Sequence, residues 1–393
     1  MNAELRNIRF AERVPGVPQS FIREILKAAS DPDVISFAGG LPNPSLFPLK
    51  ELEVCAGKVF QKYGHQVLQY ASTEGYYPLR EFISRRYHSR FGLSIPPEQI
   101  LITSGSQQAL DLIGKLFIQK GDQVLLERPS YLGALQSFSM FQPVFKEVSL
   151  QADGVDTAQF EYVLKSSDIR AFYTIPDFQN PSGVQYSLDT RIKTAAILKN
   201  QNTILIEDDP YGEISFTDEQ LPPLYSFLPG QSIMLGSFSK IIAPGLRIGW
   251  MAANPEIIRR AVIMKQASDL HTDNLGQYIL YEYLSNYNLD EHLLKIRTKY
   301  KQQRDVMLDC LETFFPSSVS YYKPSGGMFS WLILPDTITA RKLLRQAVNA
   351  GILFVPGDTF YASAPDQQTL RLNFSNVDGQ KMRKALRTLA AMI

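Results

Sequence analysis

Cysteine is almost missing from this chain. The two present, Cys55 and Cys310, stand far apart, so no disulfide framework and no thiolate metal spacing can be read, and a reducing compartment fits. Histidine is nearly as scarce. His65, His88, His271 and His292 lack the spacing of a metal site. Net charge is also small, with 40 Lys plus Arg against 39 Asp plus Glu. A dedicated nucleic-acid or membrane-surface protein carries a clear basic excess. The run Lys295, Arg297, Lys299, Lys301 and Arg304 reads as a solvated helix face. No apolar run reaches the ~18 residues of a spanning helix. The first residues mix Glu4, Arg6 and Arg9 with short apolar steps, without the apolar core of a signal peptide. No repeat and no low-complexity segment is present. What remains is ordinary globular material: 393 residues, 45% hydrophobic and 20% charged. That balance excludes disorder and fibres, and the length fits two domains. The expectation is a soluble, cytoplasmic protein that binds neither nucleic acid nor membrane.

Helical patterns cover residues 19–29, 49–63 and 78–91. From residue 100 the texture changes. Short apolar runs at 100–103, 124–127, 144–148, 171–175, 203–207, 233–236 and 247–252 alternate with helical stretches at 107–117, 131–141, 157–164, 188–199 and 255–267. Such alternation, with nearly all-apolar strands, predicts an α/β fold: a three-layer αβα unit around a mostly parallel, seven-stranded sheet. Ligands of these sheets bind beyond the carboxyl ends of the strands. After residue 285 come a long polar helix at 289–315, strand-like 328–334, a helix at 340–350, strand-like 352–355 and 370–374, and a closing helix. The division expected is a large unit, 46–285, and a smaller α+β unit formed by 1–45 and 286–393.

Four motifs follow strand candidates. Ser237-Phe238-Ser239-Lys240 ends one strand, and Arg247 precedes the next. A lysine there can act as a Schiff-base amine, with two hydroxyls and an arginine as a phosphate site; a plain surface lysine is the bland alternative. Ile206-Glu207-Asp208-Asp209-Pro210-Tyr211 places carboxylates at a strand end, either as partners of a protonated ring nitrogen or as loop acids. Asn180-Pro181-Ser182-Gly183 offers an amide donor, or merely a good turn. Thr103-Ser104-Gly105-Ser106-Gln107 joins a strand to a helix start, where free N–H groups bind anions. It matches neither a Walker loop nor Gly-x-Gly-x-x-Gly.

Together these motifs resemble the fold-type I pyridoxal-phosphate aminotransferases of class I/II, within them the 2-aminoadipate/kynurenine branch. The likeness runs through Ser20-Phe21-Ile22-Arg23-Glu24-Ile25-Leu26, Phe37-Ala38-Gly39-Gly40-Leu41-Pro42, Leu68-Gln69-Tyr70, Pro244-Gly245-Leu246-Arg247, Lys323-Pro324-Ser325-Gly326-Gly327-Met328-Phe329 and Leu370-Arg371-Leu372.

The resemblance implies an amino-group transfer from an L-amino acid to a 2-oxo acid, with 2-oxoglutarate the expected acceptor. It implies pyridoxal 5′-phosphate held covalently by Lys240, which also moves the Cα proton. Asp208 would keep the ring nitrogen protonated, Asn180 and Tyr211 would bond the ring 3-oxygen, and Tyr131 would stack on the ring. The phosphate would lie on Ser106, Gln107, Ser237, Ser239 and Arg247, with Tyr70 arriving from the second subunit of a homodimer. Arg371 would clamp the substrate α-carboxylate, Gly40 would let the backbone pass close to the substrate, and Arg23 would reach the distal carboxylate of an acidic substrate. A cis Asn180-Pro181 bond is expected on the same ground. Two other readings stay open: a β-lyase on the same scaffold, and a regulator whose DNA-binding module is absent. The stretch before Ser20 is too short for such a module, and net charge is near zero.

Overall fold

The computed structural model describes residues 9–11, 13–14 and 33–393. The expected helix at 19–29, and Arg23 within it, lie outside the described residues. In chain order the strands are β1 (Ile35–Ser36), β2 (Ile100–Thr103), β3 (Gln123–Arg128), β4 (Val144–Gln151), β5 (Gly154–Val155), β6 (Ile169–Thr174), β7 (Ile204–Asp209), β8 (Ser232–Ser237) and β9 (Gly249–Ala253). They continue with β10 (Ser320–Tyr321), β11 (Phe329–Ile333), β12 (Ile352–Leu353), β13 (Val355–Pro356) and β14 (Thr369–Asn373).

The main sheet has the order β2-β9-β8-β7-β6-β3-β4-β5. All seven expected strands are in it, and β5 is an eighth that turns back antiparallel on β4. The pairs among β4, β3, β6, β7 and β8 are parallel. Strand β9 runs antiparallel to both neighbours, so β2 and β8 point the same way. The carboxyl ends of β2, β3, β6, β7 and β8 therefore share one edge with the entry to β9. Burial on both faces explains the unbroken apolar runs: every residue of β2, β8 and β9 is buried. Helices Ser106–Phe117 and Leu132–Ser139 pack against each other and turn apolar sides such as Leu110, Ile113 and Phe138 inward.

The second sheet, β10-β11-β14-β13, is antiparallel throughout. The long helix Leu289–Phe314 packs on the closing helix Gly379–Ala390. Its basic run is only partly a solvated face. Lys295 and Lys301 are exposed, but Arg297 Nε donates to Glu213 O at 2.8 Å and Arg304 Nη1 to Pro324 O at 2.6 Å. The expected strand at 352–355 is two strands, because β12 pairs in parallel with β1 whereas β13 pairs with β14. A helix at Asn274–Asn286 was not expected from the sequence. Among the described residues, no helix is long and apolar enough to cross a membrane.

Candidate active site

At the shared strand edge lies a cavity of about 250 Å³. Its floor is Asp208, inside β7, with Tyr211 just beyond that strand. Ser237 closes β8, followed by Ser239 and Lys240; Ser239 N donates to Ser237 Oγ at 3.1 Å. Asn180 enters from the loop after β6, and Tyr131 caps the helix Leu132–Ser139. Ser106, Gln107 and Arg247 line one end; Gly40 and Arg371 line the wall supplied by the second sheet and the N-terminal segment. Tyr70 is not in this lining. It stands 78% exposed beside His271, their ring centroids 5.8 Å apart.

The Asp208 carboxylate is buried. Its Oδ2 accepts the Tyr173 hydroxyl at 2.9 Å, while Oδ1 has no partner. Burial pushes its pKa up to about 7, and the neighbouring Asp209 acts the same way. An anion with a free, desolvated oxygen stabilises a proton placed opposite it. The Lys240 amine donates to Gly40 O at 2.8 Å. Burial, then repulsion from Arg371 and Arg247, lowers its pKa to about 8, within reach of a neutral nucleophile.

Arg371 is held on three sides. Nη1 donates to Asn180 Oδ1 at 2.7 Å, Nη2 to Ala38 O at 2.6 Å, and the rings of Phe329 and Phe360 lie 4.3 and 5.0 Å from its guanidinium carbon. Its Nε remains unpartnered. Burial lowers its pKa to about 10. Asn180 Nδ2 also donates to the Tyr211 hydroxyl at 3.5 Å. Burial raises the Tyr211 pKa and takes that of Tyr131 to about 12, so both phenols stay neutral donors. The Asn180-Pro181 bond is cis, as is Arg128-Pro129.

The other end is made by backbone. Gly105 has φ +78°, and a Cβ there would stand 2.8 Å from Arg247 Nη2. The left-handed backbone is what favours glycine, since the Arg247 tip can turn aside. Gly105 caps the helix Ser106–Phe117, whose first N–H groups are free to meet an anion. Arg247 Nη2 donates to Ser104 O at 3.2 Å.

Sequence reasoning passed over three contributors. Tyr173 reads as a strand residue yet bonds Asp208. Ala38 matters through its carbonyl, which no side-chain pattern reports. Glu127 ends an apolar run as Glu207 does, and that parallel was the one available signal.

The model of the family described as aminotransferase class I and II matches residues 49–389. An aromatic-amino-acid aminotransferase of Thermococcus litoralis is 41% identical over 390 residues, covering 98% of this chain and 94% of that protein. A 2-aminoadipate transaminase of Thermus thermophilus is 40% identical, covering 97% of this chain and 95% of its own. The crystal structure of a kynurenine aminotransferase from Pyrococcus horikoshii superposes with a TM-score of 0.93 at 40% identity, over 98% of this chain and 96% of that one. The chain therefore belongs to the class I and II aminotransferases, and is a transaminase that works with pyridoxal 5′-phosphate.

Proposed function

We propose that the enzyme takes the amino group from 2-aminoadipate, glutamate, aromatic or apolar L-amino acids and delivers it to 2-oxoglutarate. The observation that carries this reading is the convergence of the Lys240 amine, the unpartnered Asp208 oxygen and the Arg371 guanidinium on one cavity. These residues fit pyridoxal phosphate. Asp208 Oδ1 lacks the donor that a protonated ring nitrogen supplies, and the left-handed Gly105 opens a helix whose first N–H groups can meet a phosphate beside Arg247. When bound, the cofactor supplies an electron sink for the negative charge at the substrate Cα.

The chain's own groups do the rest. Lys240 would hold the cofactor covalently and, when freed, would take the Cα proton; the lowered pKa of its free amine leaves much of it neutral near pH 8. Asp208 keeps the ring nitrogen protonated. Asn180 and Tyr211 donate to the ring 3-oxygen, and Tyr131 covers the ring face. Ser106, Gln107, Ser237, Ser239 and Arg247 hold the phosphate. Arg371 receives the substrate α-carboxylate as a planar two-point clamp, and Gly40, where a Cβ would meet the Phe329 ring at 3.2 Å, lets the backbone pass close to the substrate. We further propose a cytoplasmic homodimer in which the exposed Tyr70 reaches the neighbouring phosphate. The division into 46–285 and 1–45 with 286–393 belongs to the same reading. Arg23 rests on the resemblance alone, as the partner of an acidic donor's distal carboxylate.

A panel of amino donors in single-turnover half-reactions, with 2-oxoglutarate kept for the return half, tests the proposal. Amino transfer to 2-oxoglutarate is expected, with Arg23→Ala slowing glutamate and 2-aminoadipate more than leucine or aromatic donors. Repeated turnover of a donor with a β-leaving group to pyruvate and ammonia, without any 2-oxo acid, would replace transamination by β-elimination.

A further inference from the structure

Glu127 is a fully buried carboxylate near the end of β3, outside the cavity lining. Among the described residues it forms no ion pair. Its charge is met instead by donors: Oε1 accepts Thr174 Oγ1 at 2.6 Å, the Tyr186 hydroxyl at 2.7 Å and Ile175 N at 3.2 Å, and Oε2 accepts Gln179 Nε2 at 2.8 Å. Gln179 is fully buried too and uses its whole amide. Nε2 also donates to Pro129 O at 2.8 Å, while Oε1 accepts Ser182 N at 2.8 Å and Ser182 Oγ at 2.7 Å. The amide thus braces the end of β3 against the turn that carries Asn180.

That turn is closed by backbone bonds of its own, Gln179 N to Val184 O at 2.8 Å and Gly183 N to Gln179 O at 2.6 Å, yet it carries strain. Phe178 has φ +52°, left-handed backbone that a bulky side chain avoids at a cost of about 1–3 kcal/mol. Such a conformation persists where surrounding bonds over-determine it. Beside the turn's own backbone bonds, two sets of side-chain bonds do so here: the Glu127–Gln179 brace, and the buried Arg191, which donates to Asp177 at 2.6 Å and to Pro176 O at 3.3 Å. We propose that Glu127, acting through Gln179, is a positioning residue that sets Asn180, and with it Arg371, against the cofactor ring and the substrate carboxylate. The inference rests on the roles proposed above for Asn180 and Arg371. Burial raises the Glu127 pKa to about 7, and above that pH the carboxylate accepts all four donors. Glutamine of the same shape would turn an N–H against Gln179 Nε2 or against the Thr174, Tyr186 and Ile175 donors.

The test uses loaded enzyme carrying Glu127→Gln, Gln179→Met or Asn180→Ala. The pH midpoint of the bound cofactor's visible absorption is measured, together with KM and kcat. Loss of a donor to the ring oxygen favours the protonated form, so Asn180→Ala should raise the midpoint. Glu127→Gln and Gln179→Met should raise it in the same direction. They should also lower kcat/KM by roughly tenfold to a hundredfold, chiefly through KM for both the amino and the oxo acid. Glu127→Gln placed on Asn180→Ala should add no further midpoint shift, because both act through one contact. Gln179→Met carries the test if Glu127→Gln does not fold. An unmoved midpoint in the Glu127 and Gln179 variants, beside a raised one in Asn180→Ala, overturns the proposal. So does an additive shift in the double variant. An unmoved midpoint in Asn180→Ala removes the Asn180 assignment, and this inference with it.

Discussion

At one end of the cavity Asn180, Asp208 and Arg371 are at most 4% exposed, and their side-chain polar atoms other than Asp208 Oδ1 and Arg371 Nε have named partners. At the other, Gln107 and Arg247 are exposed and Ser106 half-buried, and much of the binding surface is backbone N–H. The first end resembles a protein core, where dielectric screening is weak and each unmatched group is costly. In the single chain the second faces solvent, where charges are screened and a lost contact is diluted except where the proposed second subunit covers it. Substitutions at the buried end should therefore change the chemistry, and those at the open end should change occupancy.

The strongest challenge to this contrast comes from Lys240, which lies between the ends. Lys240→Ala removes amine and proton carrier together, and turnover should fall by 10⁴-fold or more, at or beyond the upper range of about 10²–10⁴ for acid–base catalysis. The variant should still bind pyridoxal phosphate, seen as absorbance retained after gel filtration. Normal transamination in it would remove the central assignment.

Asp208→Asn probes the buried end alone. Losing a preorganised charge partner should cost roughly 10²–10³ in kcat, with cofactor still bound. A second readout uses cofactor-free protein. The Asp208 pKa is raised from an ordinary 3.8 to about 7, so the folded state holds an extra proton between those values. Its contribution to stability is greatest below about pH 4 and is lost as pH rises to about 7. Asn at 208 still offers the Tyr173 hydroxyl an acceptor and cannot titrate. Its melting temperature should fall less steeply over that window, the remaining slope coming from Glu127 and Glu207, each also pushed up to about 7, and from Asp209, raised to about 6. Parallel melting curves would mean that Asp208 is not the titrating group.

The smallest effect is expected at the open end. Arg247→Gln should weaken cofactor affinity by about tenfold, since a charged hydrogen bond of roughly 1.5–3 kcal/mol is reduced by exposure. Equilibrium dialysis at two salt concentrations checks this, and the difference should shrink at high salt. At saturating cofactor kcat should be near normal. A large fall in kcat would mean the two ends are not separable.

Much of this was legible in the sequence because the strands are buried on both faces and read as plain apolar runs. The strand ends then located Asp208, Lys240 and Asn180. Short or mixed elements were not legible. Strand β5 has two residues and no period to detect. The helix Asn274–Asn286 buries Asn274, Gly276 and Gln277, which interrupts its apolar stripe. Residues 352–355 look like one strand because sequence does not reveal that β12 and β13 choose different partners. Within the site, what stayed hidden was long-range pairing. Glu127 meets Thr174 and Tyr186 at separations of 47 and 59 positions, and the value of Ala38 lies in a carbonyl every residue has.

The parallel pair of β1 with β12, and the Arg371 bond to Ala38 O across 333 positions, also bear on how the chain is made. Residues 35–41 leave the ribosome early but dock on strands that are among the last synthesised. At roughly 5–20 residues per second, the apolar pair Phe37 and Ala38, wholly buried in the finished fold, waits about a quarter of a minute to a minute for its seat. The main sheet, complete by β9, can form meanwhile. The wall of the cavity that holds Arg371 is thus among the last parts of the chain to be completed, and a chain truncated before β14 would lack the residue proposed to clamp the carboxylate.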